Sequence, residues 1–472
     1  MSTDRAERPV VAVANRLPVH ATPEGWQLSP GGLVTALRPV MQRRSGTWVG
    51  WDGGDADTPQ RLPEMSIDLQ PVSLSAEDVG DYYHGASNRT LWPLLHEAVE
   101  RPVFDRHWWA TYRRVNAAFA DSAASALEEH PDALLWVHDY HLMLVPELVR
   151  QRAPRQQIGF FLHVPWPSVD VFARLPGRAE VLRGLLGADV VSFHTESYRR
   201  NFTACCTRLL GDEVSVRGAE VVLRDGRSVR TTASPISIDA QDYADVARSD
   251  ESAAELRALE EQFADRTVLL GVDRLDYTKG IVERLLAFEL LLERREDLRE
   301  RVVFVQIAVP SRDDVQEYRE LRANLEQIIG RVNGRFTAPG SDVPVHYLYR
   351  GLPQPKLAAY YAVADALLVT PLMDGMNLVA KEYVVVQQAL RRSGALVLSE
   401  FTGAALELRE AVPCNPYDVE GLSRQVERAL DLPADARRRA MSTMSRRVRT
   451  HDVHRWVDRQ LTAIADAPAA EG

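Results

Sequence analysis

The sequence of 472 residues is poor in cysteine, and its three cysteines form no recognisable metal or disulfide pattern. Cys205 and Cys206 are adjacent, and Cys414 stands alone. Neighbouring cysteines rarely bridge each other, and no CxxC pair or cysteine–histidine spacing typical of zinc sites occurs. The cysteine content is therefore typical of a protein from a reducing compartment.

Long hydrophobic runs are also missing. No stretch approaches the ~18 to 20 apolar residues that a membrane-spanning helix requires. The first ten residues, MSTDRAERPV, lack the apolar core of a signal peptide. We therefore expect a cytoplasmic protein with no membrane partner.

Lysine is scarce, acidic residues outnumber basic ones, and several known sequence signatures are absent. The formal net charge of −10 argues against nucleic acid as a partner, although a small phosphorylated ligand needs only a few local cations. Lysine occurs only at Lys279, Lys356 and Lys381. The sequence contains no GxGxxG fingerprint, no Walker A loop and no nucleophile elbow, which argues against a nicotinamide enzyme, a P-loop enzyme and a serine hydrolase.

Short apolar runs that alternate with helical patterns predict an α/β protein with parallel sheets. The length favours two or three domains. The predicted strands fall into two series, which are Val10 to Ala14, Leu134 to Val137, Ile158 to Leu162 and Asp189 to Phe193, then Val268 to Val272, Val302 to Ile307, Val345 to Leu348, Ala366 to Val369 and Ala395 to Leu398. We predict domains at 1–237 and 238–450, followed by a C-terminal helix and tail at 451–472 that could pack back on the N-terminal domain.

Polar clusters follow the carboxyl ends of many predicted strands. They include NR, HDYH and HVPWP in the first series, and DRLDYTKG, PSRDD and PLMDGMN in the second. Ligands of open α/β sheets bind beyond the carboxyl ends of the strands. Two such domains facing each other would form a cleft suited to a two-substrate transfer that excludes water.

The second series offers cations and a helix start for a nucleotide diphosphate. Arg274 and Lys279 follow a strand and could clamp a diphosphate, or could simply pair with Asp273 or Asp276. In PLMDGMNLVAKEY, Asn377 is a plausible N-cap, and the helix N-terminus after it is a potential anion site.

Two carboxylates in the same motif have potential ligand roles. Asp374 could bind sugar hydroxyls, and Glu382 could accept hydrogen bonds from ribose hydroxyls. The alternative is a well-capped helix with an exposed Lys381–Glu382 pair, because helix caps are far commoner than ligand sites.

The N-terminal half, which contains the first series, offers other candidate ligand-binding residues. Gly31 and Gly32 precede a helical pattern and permit close approach of a ligand. Arg16, and Arg312 from the second series, could each bind a phosphate or lie as surface charges.

The HDYH motif and its surroundings invite comparison with a metal site. His138, Asp139 and His141 lie together, but their spacing is not that of a zinc site, so we predict no metal. Asp139 is better suited to hold a sugar hydroxyl. His163 could bind a sugar or satisfy a buried carbonyl. Tyr83 and Trp92 could stack on a sugar ring or belong to the core.

Taken in order, these motifs resemble the α,α-trehalose-6-phosphate synthase family. The matching strings span residues 15–418 and are VANRLPV, PGGLVTAL, WVGW, YYHGASNRTLWP, WVHDYHL, GFFLHVPWP, DRLDYTKGI, PSRDDV, GRVNG, TPLMDGMNLVAKEY, EFTGAA and NPYD. The resemblance implies the GT-B fold, in which two Rossmann-like domains have the active site between them. It also implies retaining transfer of glucose from a nucleotide-glucose to glucose 6-phosphate, without a cofactor.

The resemblance also implies roles for individual residues. Arg274 and Lys279 would bind the donor diphosphate, and Asp139 would orient the acceptor. The acceptor set would further contain Arg16, Tyr83, Trp92 and Arg312. The remaining donor set would be Gly31, Gly32, His163, Leu352, Asp374, Gly375, Met376, Asn377, Leu378, Val379 and Glu382.

Several points stay open at the level of sequence. Leu352 stands where some family members carry an aromatic residue near the base, and UDP-, GDP- and ADP-glucose all remain candidate donors. A pseudo-glycosyltransferase that couples a cyclitol nucleotide to a cyclitol phosphate, and a sugar-phosphate sensor without catalysis, are the alternatives. The sequence does not determine whether the protein forms a homo-oligomer.

Overall fold

The chain divides into two compact units. Unit 1 comprises Met1–Ile236 and Val453–Gly472, and unit 2 comprises Ser237–Asp452. The structure is a computed structural model that describes residues 8–22, 25–29, 32–54, 58–63, 65–311 and 315–468.

Unit 1 is built on a nine-stranded sheet and a separate two-stranded hairpin. Its strands are β1 (Val10–Arg16), β2 (Val19–Thr22), β3 (Gly25–Leu28), β4 (Gly46–Trp51), β5 (Asp68–Val72), β6 (Leu134–His138), β7 (Ile158–Phe161), β8 (Val190–Phe193), β9 (Val214–Arg217), β10 (Glu220–Leu223) and β11 (Ser228–Ala233). The large sheet has the order β5-β4-β1-β6-β7-β8-β11-β10-β9, and β2 pairs with β3. All pairs in the large sheet are parallel except the two that β10 makes with β11 and β9.

Helices connect the parallel strands of unit 1. They are α1 (Gly32–Arg43), α2 (Ala76–Asp78), α3 (Trp92–Leu95), α4 (Arg106–Glu129), α5 (Val145–Arg152), α6 (Val169–Phe172), α7 (Arg178–Leu186) and α8 (Glu196–Leu210). A π-helix spans Val79–Leu91 between α2 and α3. Such helices are rare and occur most often at functional sites.

Unit 2 contains a six-stranded sheet in which every pair is parallel. The order is β14-β13-β12-β15-β16-β17. The elements in chain order are α9 (Ala240–Ala247), α10 (Asp250–Gln262), β12 (Thr267–Arg274), α11 (Ile281–Arg294), β13 (Val302–Val309), α12 (Gln316–Phe336), β14 (Val345–Tyr349), α13 (Gln354–Val363), β15 (Ala366–Val369), α14 (Leu378–Ala389), β16 (Ala395–Ser399), β17 (Val412–Cys414), α15 (Val419–Asp431) and α16 (Ala434–Thr450).

The last helix, α17 (Val453–Ala465), returns to unit 1. Trp456 lies on this helix and packs against Trp136 of β6 and Phe161 of β7, with ring centroids 5.3 and 4.9 Å apart. Its indole N–H donates to the carbonyl of Ser234 at 3.2 Å. The C-terminal helix therefore covers the centre of the unit 1 sheet.

The expectation of an α/β protein with parallel sheets is confirmed. Strands such as β6 and β15 read as continuous apolar runs because helices cover both faces of a parallel sheet. Residues 240–265, which have only weak periodicity, contain α9 and α10. Their capping residues, Asp239 and Ser249, accept first-turn N–H groups.

All three cysteines are free and buried. Among the described helices, none combines the length and the apolar character needed to cross a membrane.

Candidate active site

Three of the predicted site residues of unit 1 lie at neighbouring strand ends. Arg16 is the last residue of β1, Asp139 follows β6, and His163 lies just after β7. These strands are adjacent and parallel. The sheet therefore brings the three side chains to the same edge, as the position of polar clusters after strands predicts.

Arg16 lies on an aromatic surface at this edge. The register of β1 against β4 shifts between Val13 and Arg16, which re-aims the strand end. The guanidinium carbon of Arg16 is 4.3 Å from the Trp51 ring centroid and 5.5 Å from that of Tyr83. Gly50 permits this arrangement, because a Cβ there would lie 2.5 Å from the backbone nitrogen of Leu17. The arginine is thus both exposed and oriented, as a phosphate-binding group needs to be.

Asp139 has a strained backbone. Its φ of 73° and ψ of 169° lie in a region that is populated almost only by glycine. The carboxylate accepts the backbone N–H of His163 at 3.3 Å and lies 4.0 Å from Nδ1 of His141. Strain of this kind persists where the surroundings impose it, and it is commonest at functional sites.

Two histidines near Asp139, His138 and His163, are neutral. Burial lowers the pKa of His138 to about 3. Burial, reinforced by His138 and His194, lowers the pKa of His163 well below its usual value. Nδ1 of His138 and Nε2 of His163 are 3.2 Å apart and share one hydrogen bond. His163 is therefore available as a neutral hydrogen-bonding group rather than as a cation.

Acid is expected to destabilise unit 1 through His138. An unfolded imidazole titrates near a pKa of about 6.5, whereas the folded group has a pKa of about 3. Between these values the unfolded chain binds more protons, so the free energy of unfolding falls as the pH decreases, by about 2 kcal/mol at pH 5 for this residue. His138→Asn should therefore lose about 2 kcal/mol less than the wild type between pH 7.5 and pH 5.

Tryptophan fluorescence during urea unfolding measures this effect, because all nine tryptophans belong to unit 1. Equal acid sensitivity of the two proteins would contradict the prediction.

The two predicted aromatic contacts differ in their exposure. Tyr83 lies on the π-helix, is half-buried, and stacks on His141 with centroids 6.0 Å apart. Trp92 is buried against His96 and Tyr140. The ring of Trp92 therefore belongs to the core. This burial favours the alternative of a core position over stacking on a sugar, and the assignment of Trp92 to the acceptor stays a prediction.

Two predicted residues, Gly31 and Arg312, lie outside the described residues. Gly32 is the first residue of α1.

Three of the predicted donor residues of unit 2 meet at an ion pair. The ammonium group of Lys279 donates to Oδ2 of Asp374 at 2.7 Å, and the side-chain amide of Asn377 donates to the same oxygen at 3.2 Å. Lys279 is buried, and Asp374 is half-buried. The pair joins the end of β12 to the loop after β15, its neighbour in the sheet.

Asn377 caps α14, as predicted. Its Oδ1 accepts the N–H of Ala380 at 3.1 Å, and its φ is 78°. Gly375, Met376, Leu378 and Val379 lie on either side of this cap. The positive end of the helix dipole therefore lies beside Lys279 and Asp374, which makes the locality favourable for an anion.

A fully buried arginine, Arg284 of α11, supports this region. Its guanidinium pairs with Asp273 at 2.7 Å, and donates to Thr370 at 2.9 Å and to Gln306 at 3.0 Å. A further bond reaches the carbonyl of Lys279 at 3.4 Å. These partners satisfy the buried charge and connect β12, β13 and the residue that follows β15.

Glycine is required immediately after Lys279. Gly280 has a φ of 60°, and a Cβ there would lie 2.0 Å from the carbonyl oxygen of Thr370. Arg274, five residues earlier, is exposed at the end of β12. The structure therefore brings Lys279 to Asp374, whereas Arg274 is an exposed residue.

Glu382 lies on α14 and bonds with tyrosines. Its Oε2 accepts the hydroxyl hydrogen of Tyr361 at 2.8 Å. Burial raises the pKa of Glu382, and hydrogen bonds from Tyr361 and Tyr243 oppose that rise. The alternative of an exposed Lys381–Glu382 pair is wrong, because Lys381 is buried and pairs with Glu407 at 2.6 Å. Leu352, predicted near the base, is half-buried between β14 and α13.

Sequence reasoning missed several supporting residues. Arg284 interrupts the apolar face of a helix, which is a detectable signal. His194 follows β8 as His163 follows β7, so the strand-end rule could have found it. Trp51 ends the WVGW string, and nothing in the sequence indicates that Arg16 lies over its ring. Tyr243 and Tyr361 gave no signal, because their contacts with Glu382 are tertiary.

The described residues contain one three-residue group whose donor atoms could converge on a metal ion, namely Glu77, Asp81 and His107. It lies on α2, the π-helix and α4 rather than at the strand ends, and these ligand types are common on surfaces without a metal.

Comparison with known proteins covers nearly the whole chain. The model of glycosyltransferase family 20 matches residues 8–466. A trehalose-6-phosphate synthase from Mycobacterium ulcerans (strain Agy99) is 47% identical over 474 residues, which cover 97% of this chain and 94% of the relative.

Solved structures show the same fold. An alpha,alpha-trehalose-phosphate synthase (UDP-forming) from Burkholderia xenovorans in complex with glucose-6-phosphate is 34% identical, with a TM-score of 0.87 over 97% of this chain and 99% of that one. A structure from E. coli bound with UDP-2-fluoro glucose is 34% identical, with a TM-score of 0.88 over 97% and 99% of the two chains. The GT-B fold class is thereby confirmed.

Proposed function

Because the chain belongs to glycosyltransferase family 20, we propose that it transfers glucose from UDP-glucose to glucose 6-phosphate with retention of the anomeric configuration. The chain is a glycosyltransferase, and its activity is trehalose-6-phosphate synthesis. The choice of UDP-glucose rests on relatives, one described as UDP-forming and one bound with UDP-2-fluoro glucose. The choice of acceptor rests on a relative in complex with glucose-6-phosphate.

The convergence of Lys279, Asp374 and Asn377 at the start of α14 carries the donor assignment. A buried ammonium group beside a helix N-terminus can stabilise the negative charge of a departing diphosphate. Lys279 would exchange its contact with Asp374 for a phosphate oxygen, and Asp374 would then accept hydrogen bonds from glucose hydroxyls. Arg274, which is exposed at the end of β12, would bind the diphosphate as well.

The other donor contacts follow the same proposal. The loop from Gly375 to Val379 would meet the glucose and the diphosphate, and Glu382 would accept hydrogen bonds from the ribose. Leu352 would line the base. Gly31 and Gly32 would close over the donor, and His163 would contact its sugar.

The acceptor would bind at the strand ends of unit 1. Arg16 would bind the phosphate of glucose 6-phosphate, with Tyr83 and Trp51 holding the guanidinium in place. Asp139 would orient the attacking hydroxyl, because its carboxylate can accept that hydrogen bond. Arg312 and Trp92 complete the proposed set.

The reaction is proposed to be a front-face substitution. The acceptor hydroxyl attacks the anomeric carbon from the side on which the diphosphate leaves, and a phosphate oxygen of the leaving group takes the hydroxyl proton. No protein nucleophile is needed, so catalysis depends on positioning and on cations that stabilise the leaving group.

A donor panel tests the proposal. Glucose 6-phosphate is supplied with UDP-, GDP- or ADP-glucose, nucleoside diphosphate release is measured, and proton NMR reads the anomeric configuration of the product. We expect the highest kcat/KM with UDP-glucose and an α,α product. Faster turnover with GDP-glucose would overturn the choice of UDP-glucose as donor, and an inverted linkage would overturn retention.

The two alternative functions have their own outcomes. Calorimetric binding without turnover would favour a sensor, and turnover only with a cyclitol nucleotide would favour the pseudo-glycosyltransferase.

Arg16→Ala is expected to raise the KM for glucose 6-phosphate by about tenfold or more, because a charge-assisted hydrogen bond to phosphate is lost. The KM for the nucleotide-glucose should change little. Steady-state kinetics in both substrates check this result. Arg61→Ala is the control, since Arg61 is an exposed arginine of unit 1 that pairs with Asp68 at 2.7 Å. An unchanged KM for glucose 6-phosphate would count against the assignment.

A further inference from the structure

Three histidines meet beside Asp139 in unit 1. His138 ends β6, His163 follows β7, and His194 follows β8. The ring centroids of His138 and His163 are 5.4 Å apart, and those of His163 and His194 are 5.8 Å apart. His138 is completely buried, whereas His163 is half-buried. The proposed sugar-binding histidine is therefore backed by a second histidine that no solvent reaches.

The hydrogen bond between His138 and His163 has two arrangements. Either Nδ1–H of His138 donates to Nε2 of His163, or Nε2–H of His163 donates to Nδ1 of His138. The first arrangement leaves the proton of His163 on Nδ1. The second fixes that proton on Nε2 and moves the proton of His138 to its other nitrogen.

The other nitrogen of His138 distinguishes the two arrangements. Nε2 of His138 is buried and has no hydrogen-bond partner among the described residues. A buried N–H without an acceptor is rarer and less favourable than a buried bare acceptor. Nε2 of His138 should therefore be bare, so its proton lies on Nδ1 and is donated to His163.

The surroundings keep the pair in place. The ring of His138 packs on Trp136 with centroids 4.5 Å apart, and the ring of His163 packs on Phe161 at 4.7 Å and Trp456 at 6.2 Å. His194 does not compete for the His163 ring, because its Nε2 bonds to the backbone carbonyl of His163 at 3.0 Å. The C-terminal helix α17 thus contributes part of the wall around the histidine pair.

We propose that His138 is a positioning residue that holds His163 in the tautomer with its proton on Nδ1. This inference deepens the proposed function and rests on the proposed contact between His163 and the donor sugar. With Nε2 occupied by His138, His163 presents a single Nδ1–H donor, which suits a sugar hydroxyl oxygen as acceptor. A histidine free to change tautomer would offer a donor and an acceptor in turn and would orient the sugar less well.

Nitrogen NMR of the full chain labelled with ¹⁵N-histidine tests the tautomer directly. The signals of the pair are assigned by their loss in His163→Asn and His138→Asn. We expect Nε2 of His163 to resonate as a bare ring nitrogen and Nδ1 as a protonated one, before any substrate is added. A protonated Nε2 in His163 overturns the proposal.

Three substitutions of His138 test whether the tautomer of His163 affects catalysis. Asparagine places an amide N–H close to the position of Nδ1, glutamine places it close to that of Nε2, and leucine has no donor. We expect kcat/KM for the nucleotide-glucose to stay within about threefold of the wild type for His138→Asn, and to fall roughly 10- to 100-fold for His138→Gln and His138→Leu. The KM for glucose 6-phosphate should change little in all three.

Unfolding followed by tryptophan fluorescence separates this effect from a loss of stability. A purely structural role predicts that activity follows the stability of unit 1, whereas tautomer control predicts that it follows the presence of the Nδ1-like donor. Equal activity of His138→Leu and His138→Asn overturns the proposal. If the wild type forms no trehalose 6-phosphate, the proposed function fails, yet the NMR measurement still decides the tautomer.

Discussion

Replacing Lys279 with alanine is expected to lower kcat by about 1,000-fold. The buried ammonium group lies 2.7 Å from Asp374 and close to the N-terminus of α14, where the diphosphate would depart. The charge on the leaving group develops mainly in the transition state. Loss of the Lys279 ammonium group should therefore reduce kcat more than it raises KM.

Lys356→Ala is the matched control for this experiment. Lys356 is one of the three lysines, lies in the same unit and forms an ion pair with Glu255 at 3.0 Å on α10. Its removal should change kcat little, because this half-buried ammonium group is not one of the groups proposed to bind the diphosphate. Circular dichroism establishes that both variants fold. Normal turnover of Lys279→Ala would remove the donor site from where we propose it.

Two substitutions of Asp139 should be alike in their loss of activity but should differ in stability. Asp139→Ala and Asp139→Gly both remove the carboxylate that would orient the acceptor, so we expect both to lower kcat/KM by about 100-fold or more. Only glycine relaxes the backbone at φ 73° and ψ 169°. The glycine variant should therefore be more stable than the alanine variant by about 1 to 2 kcal/mol.

Urea unfolding followed by tryptophan fluorescence measures that difference, because the signal comes from unit 1 alone. Asp139→Asn adds a variant of similar shape that keeps the strain and loses the charge, and it should be nearly as inactive as the alanine variant. Equal stability of the alanine and glycine variants would show that the surroundings do not impose strain. High activity of the glycine variant would show that the carboxylate has no role at the acceptor.

Local patterns predicted much of the fold. The strands around Leu134 and Ala366 were recognisable because a strand buried on both faces reads as an uninterrupted apolar run. The cap at Asn377 was recognisable because its side chain bonds to an N–H three residues later. The helices between residues 240 and 262 were not recognised, because α9 has only 8 residues and α10 is rich in charged residues.

Some residues of the candidate site were found from the sequence, whereas other contacts were not. Arg16, Asp139 and His163 were found from their positions after strands, and the parallel sheet brings them to one edge. The sequence left open whether the Trp92 ring lies in the core, because one of the residues that bury it, Tyr140, is far along the chain. The pairing of Lys381 with Glu407 could not be recognised for the same reason, because the two residues are distant in sequence.

The sequence by itself determined the alternation of strands and helices and the residue types that follow each strand, because periodicity, capping and turn chemistry act over a few neighbouring residues. The tertiary structure decided which of those residues meet. Lys279 pairs with Asp374 across 95 positions, Arg284 connects β12, β13 and the residue after β15, and His138 bonds to His163. Each contact depends on strand order and burial, and long-range packing sets both.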